Sequence, residues 1–135
     1  MKYNLNKTDK IILKEGKGRT YNCVTMTAVF KADKKETNEM YSISEWWLKP
    51  NLEGVGEHFH EDNDEIFYVL EGTTSILIGD KWIDAEKGTF IRIPAKTIHD
   101  FCNSTDKVTS LLNFFIPGGF ERNIPSIAKW FEDNK

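Results

Sequence analysis

From Tyr21 to Ile116 the apolar residues come in short runs broken by turn residues, and that punctuation restricts the fold more than any other feature. The runs are Tyr21 to Phe30, Tyr41 to Leu48, Glu65 to Leu70, Thr73 to Ile78, Lys81 to Asp84, Thr89 to Ile93 and Val108 to Ile116. They are rich in β-branched and aromatic residues, which suit a pleated, half-buried surface. Between them stand the turn-forming pairs Glu71-Gly72, Gly79-Asp80, Lys87-Gly88 and Pro94-Ala95. Many short strands so spaced predict an all-β sandwich or barrel. Gly79-Asp80 predicts a tight hairpin, because glycine takes a positive φ without steric cost. One short helix is expected, over about residues 125–133. Pro125 suits its first turn, and Ile127, Trp130 and Phe131 make one apolar stripe. That stripe is expected to pack on the outside of the barrel rather than to cover its mouth.

The chain has 135 residues, 39% of them hydrophobic, and is expected to form one domain over 1–135 with a core that needs no staple. The net charge is −3, and the lysines of Lys31 to Glu36 alternate with acids, so no basic stripe points to nucleic acid. The start, Met1 to Asn6, lacks an apolar signal core, and no run approaches the roughly 18 apolar residues of a membrane span. A cytoplasmic protein without a membrane partner is the expectation. Cys23 and Cys102 show no metal-ligand spacing and are expected to be reduced thiols.

The three histidines, His58, His60 and His99, carry the chemistry. On a strand, residues i and i+2 face the same way, so His58 and His60 can converge on one ion. Glu65 opens the next apolar run after the polar turn Glu61 to Asp64, and can bring an anionic oxygen to the same point. His99 follows another turn and can close the site from a third strand. If these four point inward, parity nominates Phe67, Val69 and Phe101 as inward neighbours, with one of the adjacent pair Trp46 and Trp47. Such residues either line a ligand cavity or fill a small barrel. Ile66, Tyr68 and Leu70 fall on the opposite face and need a cover. Cys102 faces away from the metal by the same parity.

These residues resemble the cupin superfamily. Its first motif runs His-x-His, three or four residues, Glu, six residues, Gly, and here reads His58-Phe59-His60, four residues, Glu65, six residues, Gly72. Its second runs Gly, five residues, Pro-x-Gly, two residues, His, three residues, Asn, and here reads Gly88, five residues, Pro94-Ala95-Lys96, two residues, His99, three residues, Asn103. The match lies within 54–103. Two positions depart from it: Leu52 stands where the family has a glycine before the first histidine, and Lys96 replaces the glycine of Pro-x-Gly. Both changes bear on loop shape and remove no ligand.

The resemblance implies a cupin-type jelly-roll barrel with a short C-terminal helix. It implies one divalent transition metal (Fe, Mn, Ni, Co, Cu or Zn) on His58, His60, Glu65 and His99, and a small-molecule substrate. Asn103 is expected in a turn or behind the ligands. The segment Pro117 to Glu121 is similar to that following the last strand of small quercetin-dioxygenase-like cupins, which implies oxidative cleavage of a phenolic or enol substrate by O₂. Glu65 is then the candidate catalytic base. Two alternatives stand beside this: a non-redox isomerase, epimerase or lyase of sugars or uronates, favoured if Arg92 or Tyr41 points inward, and a metal-dependent binding protein without turnover. A homodimer through an outer sheet face is also implied.

Overall fold

The computed structural model describes residues 10–119 and 123–133, without the side chains of residues 124, 125, 127, 128 and 131. Nine strands run β1 (Arg19–Asn22), β2 (Met26–Ala32), β3 (Ser42–Leu48), β4 (Asp64–Glu71), β5 (Thr73–Ile78), β6 (Lys81–Glu86), β7 (Phe90–Ile93), β8 (His99–Cys102) and β9 (Thr109–Ile116), and one helix, α1, spans Ile124–Asp133. They form a six-stranded sheet, β1-β2-β3-β9-β4-β7, and a three-stranded sheet, β6-β5-β8. All strand pairs are antiparallel. This is the all-β architecture expected from the turn punctuation, in the jelly-roll form that the family resemblance implies.

Alternation along each strand sorts the side chains. On β3, Ser44, Trp46 and Leu48 are buried while Trp47 is 38% exposed. On β4, Glu65, Phe67 and Val69 are buried while Tyr68 is exposed. The register then sets rows across the large sheet: Phe30, Ser44, Asn113, Phe67 and Ile91 in one, and Ser42, Phe115, Glu65 and Ile93 in the next. Ile76, paired with Phe101 in the small sheet, closes the core from the other side. The outer face of the large sheet keeps an apolar stripe in which Tyr68 lies across from Phe90 and Leu112, with Phe90 itself 62% exposed.

Two turns refine the sequence reading. Gly79-Asp80 makes the expected hairpin, with Ile78 paired to Lys81 and Gly79 at φ 68°. The run Tyr21 to Phe30 is not one strand: the chain reverses at Cys23 to Thr25, with Val24 at φ 62°, and Asn22 pairs with Thr27. A β-branched residue in that region is rare, so no ordinary turn residue marked the reversal.

The helix follows the expected boundaries closely, and of its apolar stripe only Trp130 has a described side chain. It lies beside β1, and Trp130 borders the central cavity with Asn123 just before it. The side chains of Ile127 and Phe131 lie outside the described residues. No described helix is long and apolar enough to cross a membrane.

Candidate metal centre and its cavity

The residues between β3 and β4 carry the first two histidines, and they are not a regular strand. The chain there is pinned at single points alongside β8. His58 and His99 exchange both backbone hydrogen bonds, at 3.0 and 2.8 Å, and Leu52 bridges Asn103. His60 is held separately, its carbonyl accepting from Lys96 N at 2.7 Å. Lys96 adopts φ 69°, the conformation a glycine would take, so the turn keeps its shape despite the substitution.

Asp100 fastens the same segment. Its Oδ1 accepts from Val55 N (3.0 Å), Gly56 N (3.2 Å) and its neighbour Phe101 N (2.8 Å). Gly54 lies so close to Oδ2 of Asp100 that a Cβ there would collide with it. Glycine at position 54 thus makes room for the clamp. Asn103 ties the turn, with Nδ2 donating to Lys49 O and Lys107 O and Oδ1 accepting from Thr105; it does not touch the histidines.

These supports bring the three rings together. Centroids of His58 and His99 are 4.3 Å apart, His60 and His99 5.1 Å, and His58 and His60 5.3 Å. One ring nitrogen from each lies within 4.8 Å of the others, a cluster that can hold a metal ion. Glu65 joins it from β4: Oε1 is 2.8 Å from His99 Nε2 and 3.4 Å from His60 Nε2. Its other oxygen, Oε2, accepts from Asn113 Nδ2 at 2.8 Å.

Two observations test whether a cation fits. The Nδ1 atoms of His58 and His99 face the carbonyls of Gly56 (2.7 Å) and Thr97 (2.9 Å). A carbonyl only accepts, so each Nδ1 carries the hydrogen, and the neutral ring presents the lone pair of Nε2 inward. Second, His99 Nε2 and Glu65 Oε1 are buried 2.8 Å apart, and with the hydrogen on Nδ1 neither has one to offer the other. Buried polar atoms rarely go unmatched, and one cation between them satisfies both. Three imidazoles and a carboxylate suit Mn, Fe, Co, Ni, Cu or Zn alike.

Electrostatics agree with an ionised carboxylate. Burial alone would raise the Glu65 carboxyl, but the His60 and His99 rings against it outweigh this and hold it below the usual range. Burial likewise works against charge on His99, yet Glu65 lifts its pKa above the ordinary imidazole value. Burial dominates at His58 and lowers its pKa, favouring the neutral, metal-binding form.

His58, His60 and Glu65 of this cluster line a cavity of about 550 Å³, with His99 behind them. Met26, Trp46, Phe67, Phe101, Leu111 and Phe115 form its apolar wall, and Val55, Phe59 and Trp130 also line it. Of the sequence-nominated pocket residues, Trp46, Phe67 and Phe101 line the cavity. Val69 is fully buried in the core beyond it, and Trp47 is on the opposite face, its Nε1 donating to Glu45. Arg92 and Tyr41 are not at the cavity: Arg92 pairs with Asp64 at 2.8 Å, and Tyr41 borders a different, shallow groove. Asn113 and Asp100 were missed in the sequence. An asparagine inside the apolar run Val108 to Ile116 was a usable signal, since a buried amide needs a partner.

A two-sheet β fold in which three histidines and a glutamate converge beside a largely apolar cavity defines a class of β proteins with a cluster that can hold a metal ion. Residues 45–115, just over half of the chain, match the cupin domain, and the chain belongs to the cupin family. Quercetin 2,3-dioxygenase of Bacillus subtilis (strain 168) is 31% identical over 72 residues, covering 53% of this chain and only 21% of that enzyme. Among solved structures, an RmlC-like cupin from Shewanella frigidimarina superposes with a TM-score of 0.71 at 13% identity, covering 87% of this chain and 99% of the other. A predicted oxalate decarboxylase from Thermotoga maritima gives 0.68 at 18% identity, covering 81% and 99%. At these identities the structural likeness speaks for the fold alone.

Proposed function

We propose that this cupin is a metal-dependent enzyme that binds a flat, uncharged phenolic or enol substrate and acts on it as a dioxygenase, with His58, His60, His99 and Glu65 as metal ligands. The observation that carries the reading is the cavity wall. Apart from the histidines and the carboxylates Glu57 and Glu65, its described lining is almost wholly apolar and aromatic, without lysine or arginine. A sugar acid would need a basic partner for its carboxylate, and the two candidates from the sequence lie elsewhere. The local likeness to quercetin 2,3-dioxygenase supports the same substrate class.

A redox-active ion in this site would supply the O₂ chemistry and would acidify a substrate hydroxyl. The chain's own residues supply the remainder. Trp46, Phe67, Phe101 and Phe115 bind the ring system and exclude water. Glu65 Oε1 takes the proton released by the substrate hydroxyl, while Asn113 holds Oε2 and fixes the carboxylate plane.

Oxygen uptake with quercetin and simpler catechols, set beside conversion of uronates, tests the reading. Metal-dependent uptake with a phenol, lost in Glu65→Gln at unchanged metal content, is expected. Conversion of a uronate without oxygen uptake would replace it with the non-redox class.

A further inference from the structure

We propose that Asn113 Oδ1 is a specificity-determining acceptor that takes a hydrogen bond from an O–H group of the bound ligand. The inference rests on the apolar-ligand reading above and adds to it a polar contact that the metal does not make.

The orientation of this amide follows from chemistry. Asn113 Nδ2 is 2.8 Å from Glu65 Oε2 and 3.4 Å from Ile66 O. A backbone carbonyl such as that of Ile66 can only accept. The atom facing it is therefore the NH₂ group, and the carbonyl oxygen is on the other side of the amide. Both hydrogens of Nδ2 are thereby committed. Oδ1 takes no donor from any described residue, and it is not one of the atoms sealed from solvent without a partner. Asn113 lines the cavity, although the residue as a whole is 1% exposed.

The neighbourhood leaves Oδ1 to the ligand. Along its row Asn113 is flanked by Ser44 and Phe67, and on its own strand by Leu111 and Phe115. Ser44 Oγ accepts from Trp46 Nε1 at 3.0 Å, and no hydrogen bond joins it to Asn113 among the described residues. Away from the histidines and the carboxylates Glu57 and Glu65 the wall is largely apolar, and there Oδ1 is an acceptor fixed by Glu65 and offered to whatever fills the space. It selects a neutral O–H donor over an ether, and over an anion, which it would repel. A site built to receive a hydroxyl discriminates against an analogue lacking it, because the acceptor is then left unpaired in an apolar setting.

The test uses 2-naphthol and 2-methoxynaphthalene as probes, with binding followed by quenching of tryptophan fluorescence in the full chain. It is run with O₂ excluded, both as purified and after dialysis against a chelator, so that metal coordination cannot supply the preference. Naphthol is expected to bind about tenfold more tightly in both forms, and the preference to collapse to within about twofold in Asn113→Leu. If that variant does not fold, the chelated wild-type chain still decides: the ¹³Cγ resonance of Asn113 should move with naphthol and stay with the ether. Equal binding of the two probes, a preference surviving in Asn113→Leu, or a silent ¹³Cγ would overturn the role of Asn113 alone. Failure of both probes to bind would overturn the apolar-ligand reading, and this inference with it.

Discussion

The carboxylate of Asp100 and the backbone of Gly56 form the joint on which the first histidine depends. Asp100 Oδ1 accepts from Gly56 N at 3.2 Å, and Gly56 O in turn receives Nδ1 of His58 at 2.7 Å. Asp100 adjoins His99, so one residue couples the loop of the first motif to the strand of the second. Gly56 sits at φ 114°, a conformation that side chains rarely adopt, and the clamp holds it there.

Asp100→Ala should therefore weaken both the fold and the site. Three amides lose a buried charged acceptor, a cost of about 2–3 kcal/mol, which lowers the thermal midpoint by several degrees. Loss of orientation at His58 should reduce Co²⁺ affinity by about tenfold or more, read by competition with a chromogenic chelator. Asp100→Asn keeps an acceptor oxygen and should recover most of both. Unchanged Co²⁺ affinity in the alanine variant would separate the clamp from the site.

Lys96 tests the second departure from the motif. A non-glycine residue at φ 69° carries a steric cost that glycine lacks, while glycine adds freedom to the unfolded chain. The two effects oppose each other, and Lys96→Gly should leave stability unchanged or raise it by up to about 1 kcal/mol, measured by urea unfolding. A clear loss would show that the lysine side chain itself supports the turn.

The two thiols should behave differently. Cys23 is fully buried and its thiol is raised above the ordinary value of 9.0 by burial, while Cys102 is partly exposed. A thiol reagent at neutral pH should react with Cys102 in the native chain and with both only after unfolding. The sign of the pH effect follows from linkage. The unfolded thiol ionises first, so this contribution to stability is intact below about pH 9 and declines above it. Cys23→Ala should flatten that alkaline decline.

The outer face of the large sheet bears on assembly. Tyr68 and Phe90 lie side by side there and stay exposed. If two copies cover this face, as the family resemblance implies, sedimentation of the wild-type chain gives a dimer and Tyr68→Lys/Phe90→Lys a folded monomer. A wild-type monomer at high concentration would rule the dimer out.

The four residues of the candidate metal centre, His58, His60, Glu65 and His99, were legible because spacing, not conformation, announces them. His58 and His60 need not lie on a regular strand, and they do not; a backbone bridge from His58 to His99 of β8 and a hydrogen bond from Lys96 N to His60 O do the same work. Strand parity turned Phe67 and Phe101 inward, and both line the cavity. It could not choose between Trp46 and Trp47, since adjacent residues on a strand differ only in face. Val69 satisfied parity but lies too far along β4 to reach the cavity, a matter of depth that alternation does not encode. Asp100 and Asn113 were hidden because each works through partners distant in sequence: Val55 and Gly56 for one, Glu65 for the other. The place of Trp130 at the cavity depends on how the last segment returns across the fold, which an apolar stripe alone cannot specify.

Elemental analysis of the untagged chain, beside a His58→Ala/His99→Ala variant, tests the metal centre most directly. About one transition-metal ion per chain in the wild type, lost from a folded variant, is the predicted result. A wild-type chain that holds no metal, even after reconstitution with each candidate ion, would contradict it.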